Sequence, residues 1–349
     1  MSQQYHHDKR LDPRCVPILE NLRKTAPKNL DVASREELIA ITSTPAALER
    51  EEQTHALMDL MDNERIASRD GLRIETHDIR SAPDDNTIKL QSFRPDSDET
   101  LPCVYYMHGG GMMTASCFRG CYQTWARLLA HQNLCVVMVD FRNALRPSSA
   151  PEVEPFPAGL NDCVSGFHWI VEHARALNID PRHIVLSGES GGGNLSIATT
   201  MKLIKDGHPD AVAGLYALCP YISGEWPRAE LPSTTENAGI FISVNNNHGA
   251  MAYGIEHLEA KNPLAWPYFA TEEDVAQFPP TLISVNECDP LRDEGIAFFR
   301  TLLAAGVKAH CRQVMGTFHA IELFITAFTD HTRMTGADLT RWVEECRPT

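Results

Sequence analysis

Several things are missing from this 349-residue sequence, and each absence excludes a class of protein. No stretch approaches the roughly eighteen uninterrupted apolar residues of a membrane-spanning helix. Basic residues never cluster into a patch. With 31 Lys and Arg against 46 Asp and Glu, the net charge is −15, so neither nucleic acid nor an anionic membrane is an expected partner. There is no C-x-x-C pair, and Cys103, Cys135 and Cys219 lie in apolar runs. The ten cysteines therefore read as reduced core thiols, neither disulfides nor metal ligands. Fifteen histidines are present without an H-E-x-x-H motif or a carboxylate-rich setting, so no metal site is expected. Residues 1–8 carry no apolar run of the kind a secretory signal needs, which points to the cytoplasm. Internal repeats and low-complexity tracts are absent.

What is present is organised around residues 183–201. An apolar run, Ile184-Val185-Leu186, leads into Gly188-Glu189-Ser190-Gly191-Gly192. Helix-compatible sequence follows, with Leu195, Ala198 and Met201 spaced for one buried face. Strand, sharp turn and helix with G-x-S-x-G at the turn is the context of a nucleophile elbow. There the serine hydroxyl projects from the sheet and the next amide, that of Gly191, points at the same spot. Other glycine-loop readings fail on residues. Asn194 and Leu195 follow Gly193 where a P-loop needs Lys and Ser or Thr. Ser190 stands where the second glycine of a dinucleotide fingerprint belongs.

Along the chain, residues 1–68 read as an N-terminal helical segment. Ser34 with Glu37 forms a capping-box signature, and Pro45 suits the first turn of a helix through Leu48, Leu57, Met58 and Met61. From Gly71 the apolar period becomes two, predicting a hairpin turned at 83–86. Strands are then expected near 103–107, 134–139, 183–187, 212–218, 281–285 and 307–315, with helices between most of them, the clearest at about 158–176. This order predicts an α/β fold with a mostly parallel, eight-stranded sheet, covered by helices on both faces and starting antiparallel. Residues 221–268 break the alternation with Pro, Gly, Asn and aromatics. They read as an insertion at a strand's carboxyl end, where a lid would sit. The implied division is an N-terminal helical cap segment (1–68), a core in two parts (69–220 and 269–349) and the cap insertion (221–268).

A serine hydroxyl needs a base to take its proton, and the base needs an orienting acid. In elbow-bearing folds the chain order is Ser, acid, His. Asp289 follows the strand at 281–285, and His319 follows the last strand, so these are the candidate acid and base. Glu287 is the alternative acid, and Asp293 and Glu294 are expected to cap the following helix. His108-Gly109-Gly110-Gly111, after another strand, offers backbone N–H groups for an oxyanion beside that of Gly191, with His108 holding the loop.

Taken together, His108-Gly109-Gly110-Gly111, Gly188 to Gly193, Asp289-Pro290-Leu291-Arg292-Asp293-Glu294-Gly295 and Phe156-Pro157-Ala158-Gly159 resemble the hormone-sensitive-lipase-like family of α/β-hydrolase esterases. Phe141-Arg142-Asn143-Ala144, Glu189 and Gly191 match its brefeldin-type branch, and Ala320 departs from the glycine usual after the histidine. The resemblance implies an α/β-hydrolase fold, a triad of Ser190, Asp289 and His319, and an oxyanion hole from Gly110, Gly111 and Gly191. It further implies a helical cap formed by the N-terminal helices and the 221–268 insertion. The expected activity is hydrolysis of short-chain carboxylic esters through an acyl-enzyme, without cofactor. Lactone opening, acyl transfer and non-catalytic binding of a small molecule are the alternatives, and a homo-oligomer is left open. Met112, Met113, Trp226, Phe241 and Trp266 are the candidate walls of the substrate pocket.

Overall fold

The computed structural model describes residues 8–23 and 30–348. The reading of residues 1–7, and the part of the N-terminal helical segment at 24–29, lie outside them. Among the described residues, no helix is long and apolar enough to cross a membrane.

Eight strands form one sheet in the order β1-β2-β4-β3-β5-β6-β7-β8. They are β1 (Leu72–Ser81), β2 (Asn86–Pro95), β3 (Leu101–Met107), β4 (Cys135–Asp140), β5 (Ile179–Glu189), β6 (Gly214–Leu218), β7 (Thr281–Asn286) and β8 (Ala309–Val314). β1 and β2 form the predicted hairpin, and β2 runs antiparallel to β4. All pairings from β4 through β8 are parallel. Alternation along the strands builds two cores. Cys103, Tyr105 and Met107 face helices Ala158–Glu172, Gly191–Lys205 and Arg292–Ala304. Val104 and Tyr106 face helices Gly120–Ala130 and Thr329–Glu345. A strand sandwiched in this way is apolar on both sides, which is why the sequence shows continuous runs there. Each fully buried large apolar side chain contributes about 1.5–3 kcal/mol.

Register decides where chemistry can gather. Met107 pairs with Gly188, Glu189 with Leu218, Leu218 with Ser284, and Asn286 with Val314. The loops that follow, carrying residues 108–112, 190, 219, 287–289 and 315–319, therefore leave the sheet along one edge.

The helices before β1 pack on this edge less uniformly than their patterning predicts. In Arg35–Thr42, Leu38 is buried, and Ser34 Oγ accepts the Glu37 N–H at 3.2 Å. The Glu37 carboxylate reaches the amide of Ala33 at 2.6 Å where a capping box would use that of Ser34. Helix Pro45–Asp59 buries no residue completely. Leu48 and Leu57 are exposed, while Met58 and Met61 rest half-buried against the sheet-side cluster. Its apolar stripe is too sparse, among charged residues, to embed the helix. The 221–268 insertion holds short helices at Ser233–Glu236, His248–Tyr253 and Ile255–Glu259. It is tied to the N-terminal segment by a two-way amide bridge: Asn247 accepts from Val32 N at 3.0 Å and donates to Val32 O at 2.8 Å.

A buried ion pair braces the strand ends. Asp162 accepts from Arg142 N at 2.8 Å, Nε at 2.9 Å and Nη2 at 3.0 Å, and from Ser81 Oγ at 2.5 Å. Two residues on, Ala144 N donates to Met112 O at 2.8 Å, so this brace reaches the glycine loop. Asp162→Ala would strand the buried Arg142 charge with only the half-exposed Asp84. The expected loss is about 3–5 kcal/mol by urea unfolding, and a loss under about 1 kcal/mol would contradict the brace.

Candidate active site

β5 ends at Glu189 and the next helix begins at Gly191, so the chain turns entirely at the one residue between them, Ser190. Ser190 sits at φ 56°, ψ −118°, a conformation that L-residues with a side chain avoid and that costs on the order of 1–3 kcal/mol. Three backbone bonds hold it. Ser190 N donates to Leu218 O at 3.0 Å, and Ser190 O accepts from Asn194 N and Tyr221 N, both at 3.0 Å. Glu189 and Gly191 are buried, whereas Ser190 between them is partly exposed. The hydroxyl-bearing carbon thus projects from the edge while the rest of the turn is packed away.

The glycine loop after β3 comes against this turn. A Cβ on Gly191 would lie 2.8 Å from Gly111 N and 2.5 Å from Met112 N, so only glycine permits this approach. Gly110 and Gly111 have φ of 97° and 64°. Among the described residues, none accepts a hydrogen bond from either of their N–H groups. His108 stacks on Phe141 with centroids 4.2 Å apart, and its Nδ1 lies 2.8 Å from Gly109 O, fitting the loop-holding role expected of it.

Asp289 and His319 meet. His319 Nδ1 lies 2.7 Å from Asp289 Oδ2, and Asp289 Oδ1 accepts the Leu291 N–H at 2.9 Å. The loops that carry them are zipped together: Glu287 N donates to Val314 O at 3.0 Å and Cys288 N to Thr317 O at 2.9 Å. Glu287, the alternative acid, spends its carboxylate on Gly316 N at 2.8 Å. Ala320 adopts φ 54°, the left-handed region that explains a glycine preference there. The insertion presses on the same loops. Asn237 Nδ2 donates to Asp289 O at 3.0 Å, and Ser233 Oγ to Pro290 O at 2.9 Å. Leu11, Cys15 and Leu19 of the N-terminal segment share a buried cluster with Ile240, Cys288 and Phe318.

Burial alone would discourage a charge on His319. The adjacent Asp289 carboxylate, with smaller contributions from Glu189 and Glu322, outweighs that and raises the imidazole above its ordinary pKa. Cys219 Sγ lies in the same group as ligand-type atoms of Asp289 and His319, all within 4.8 Å. Burial first, then neighbouring carboxylates, push its thiol well up, so it stays protonated beside an Asp–His pair already hydrogen-bonded to one another.

Two expectations need correction. Asp293 and Glu294 lie in the first turn of their helix but serve the insertion, not the helix end. Glu294 accepts from Ile222 N at 2.6 Å, Ser223 N at 3.2 Å and Trp226 Nε1 at 2.6 Å, and Asp293 from Ser233 N at 2.7 Å. Trp226 and Trp266 are consumed in a buried cluster with Tyr221: Trp226 stacks on Tyr221 at 4.6 Å, and Trp266 meets it edge-on at 5.8 Å. They fix the insertion to the core. Phe241, half-buried at φ 63°, lies 6.2 Å from the His319 ring. Met113 is half-buried at the glycine loop and Met112 is fully buried. The buried carboxylates Glu189, Glu294 and Glu322 were not legible as site elements, since motif patterning does not report which way an acid points.

With this geometry in view, comparison with known proteins places the chain. A family model described as the alpha/beta hydrolase fold matches residues 104–323, and the chain belongs to that family, in its hormone-sensitive-lipase-like group. The structure of esterase Est22 superimposes with a TM-score of 0.93 at 51% identity, covering 97% of this chain and 98% of that one. Brefeldin A esterase, a bacterial homologue of human hormone-sensitive lipase, gives 0.86 at 34% identity, covering 98% and 95%. Carboxylesterase NlhH of Mycobacterium tuberculosis (strain ATCC 25618 / H37Rv) is 31% identical over 245 residues, 69% of this chain and 73% of the relative.

The Asp289 contact makes a titration prediction. His319 should titrate above the ordinary imidazole value of about 6.5. Asp289→Asn removes the raising charge and leaves the burial, so the value should fall below that of the wild type. Histidine ring NMR in both proteins measures this, and unchanged titration would break the assigned coupling.

Proposed function

We propose that this chain is a serine carboxylesterase. Ser190 attacks the ester carbonyl as His319 takes its proton, and Asp289 holds the imidazole in the productive tautomer and stabilises its charged form. The N–H groups of Gly110, Gly111 and Gly191 hold the oxyanion of the tetrahedral intermediate. His319 then protonates the leaving alcohol. Water deacylates Ser190 by the same route, so bonds and protons balance with no cofactor. The observation that carries the reading is a strained, partly exposed serine on the same sheet edge as a buried Asp–His pair at 2.7 Å. Est22, brefeldin A esterase and carboxylesterase NlhH are each named as esterases, which supports ester substrates.

The helices before residue 69 and the 221–268 insertion act as the cap. Phe241 of the insertion, 6.2 Å from the His319 ring, and the half-buried Met113 beside the glycine loop narrow the space around the reacting atoms, so short acyl chains, about C2 to C6, are preferred over long ones. Opening of a macrocyclic lactone by the same attack is a second reading, favoured by likeness to brefeldin A esterase across 98% of this chain. A cytoplasmic setting is supported by ten unpaired cysteines, nine of them buried.

Ser190→Ala should lower kcat on p-nitrophenyl butyrate by at least ~10³-fold with an unchanged circular dichroism spectrum. Retained turnover would remove the assignment. The acid limb of kcat/KM should lie above about 6.5, because a raised His319 stays protonated, and unable to act as base, to higher pH. A flat profile from about pH 5 to 8 would argue against it. Acetate and butyrate esters should exceed palmitate in kcat/KM, and Phe241→Ala should shift the ratio of octanoate to butyrate upward by about 3-fold or more, as one lost apolar contact allows. An unmoved ratio would remove Phe241 from the pocket wall. A macrocyclic lactone in the same panel tests the second reading.

A further inference from the structure

Glu189 is the most unusual buried group near Ser190. It ends β5, is almost fully buried, and touches no cation among the described residues. Its carboxylate is instead surrounded by donors. Oε2 accepts from Tyr106 OH at 2.6 Å, and Oε1 accepts from Tyr122 OH and from the backbone N–H of Gly109, each at 2.6 Å. Tyr106 lies on β3 and Tyr122 on helix Gly120–Ala130. An isolated buried carboxylate is costly, and three strong donors offset much of that cost without an ion pair. Burial still pushes its pKa up to about 7, with the tyrosines and Gly109 N holding it down.

The contact to Gly109 joins the two halves of the proposed oxyanion site. Glu189 is bonded covalently to Ser190. Through one hydrogen bond it also fixes the first glycine of the loop whose next two N–H groups are proposed as oxyanion donors. The fit leaves no slack: a Cβ on Gly109 would lie 2.3 Å from Glu189 Oε1. Gly109 N has a second acceptor in Tyr122 OH at 3.0 Å, but that hydroxyl is itself held by Glu189.

Resting on the serine-esterase reading above, we propose that Glu189 is a positioning residue: it locks the glycine loop to the nucleophile elbow through Gly109 N–H, with Tyr106 and Tyr122 as its anchors. The consequence is specific. An oxyanion exists only in the transition state and intermediate, so loosening its donors lowers kcat and leaves KM nearly unchanged. The charge has a second effect, since Glu189, with Asp289 and Glu322, raises His319. The thiols of Cys121 and Cys219 also face Glu189, and burial keeps both protonated, so neither replaces its charge.

The test compares Glu189→Ala, Glu189→Gln and Tyr122→Phe with wild type on p-nitrophenyl butyrate across pH, alongside thermal melts. Wild-type turnover that disappears in Ser190→Ala fixes the baseline, and its absence would defeat the esterase reading itself. Against that baseline, Glu189→Ala should lose kcat by roughly 10²-fold with KM within about 3-fold. Glu189→Gln keeps an acceptor for Gly109 N and should recover kcat to within about 10-fold of wild type, with the acid limb of kcat/KM moved to lower pH as the charge is lost. Tyr122→Phe, which removes one hydroxyl, covers the case in which Glu189→Ala does not fold. It should lower kcat several-fold at constant KM. Wild-type kcat in folded Glu189→Ala or in Tyr122→Phe would overturn the proposal. So would a Gln variant no better than Ala, with an unmoved pH profile.

Discussion

The site depends on one backbone residue held where it would not rest by itself. At φ 56°, Ser190 reverses the chain within a single residue, from the end of a parallel strand to the start of a helix. The Leu218 carbonyl and the amides of Asn194 and Tyr221 hold that turn, so neighbouring β6 and the root of the insertion share the strain. Three consequences follow from this one conformation. The hydroxyl stands clear of the sheet, the helix N-terminus opens beneath it, and Gly191 meets the glycine loop at a distance no side chain allows. Strain concentrated at one residue and supported from several sides is the arrangement expected of a reacting group.

His319 and Asp289, the proposed base and acid, are supported differently. They sit on ordinary loops, and those loops are clamped from outside by segments remote in sequence. Asn237 and Ser233 of the insertion take the carbonyls around Asp289, and the N-terminal Leu11–Leu19 stretch closes a hydrophobic cluster over Cys288 and Phe318. Glu294 in turn fixes the root of the insertion through three N–H donors, its carboxyl pushed up to about 8 by burial. In the proposed enzyme the cap therefore does more than select substrate. It helps set the geometry of the Asp289–His319 pair.

Much of this was legible in the sequence, for identifiable reasons. Strands buried on both faces leave continuous apolar runs, and these located the central strands, whereas the β1–β2 hairpin was legible from its period-two alternation. The elbow and the glycine loop were legible because close backbone approach tolerates only glycine, and that constraint leaves a local mark. Asp289 and His319 were legible from their order and their place just past strand ends. Direction was not legible. Glu294 and Asp293 sit in a helix's first turn, where acids ordinarily cap, yet they turn toward the insertion, because unpaired amides at 222, 223 and 233 are nearer partners. Trp226 and Trp266 read equally well as pocket wall or as packing, and pairing with Tyr221 decided for packing. Glu189 was legible only as a match to the brefeldin-type branch. Its role rests on Tyr106 and Tyr122, whose convergence is a tertiary property. Helix Pro45–Asp59 shows the reverse error, a periodic stripe that folding leaves largely exposed.

Ser190 as the nucleophile is the central assignment, and covalent trapping tests it most directly. The folded protein is treated with a fluorophosphonate until ester hydrolysis stops, then digested, and the modified peptide is located by mass. One phosphonyl group per chain on Ser190, accumulating in step with the loss of activity, is the predicted result. Complete inactivation with Ser190 unmodified, or stoichiometric label on another serine, would contradict it.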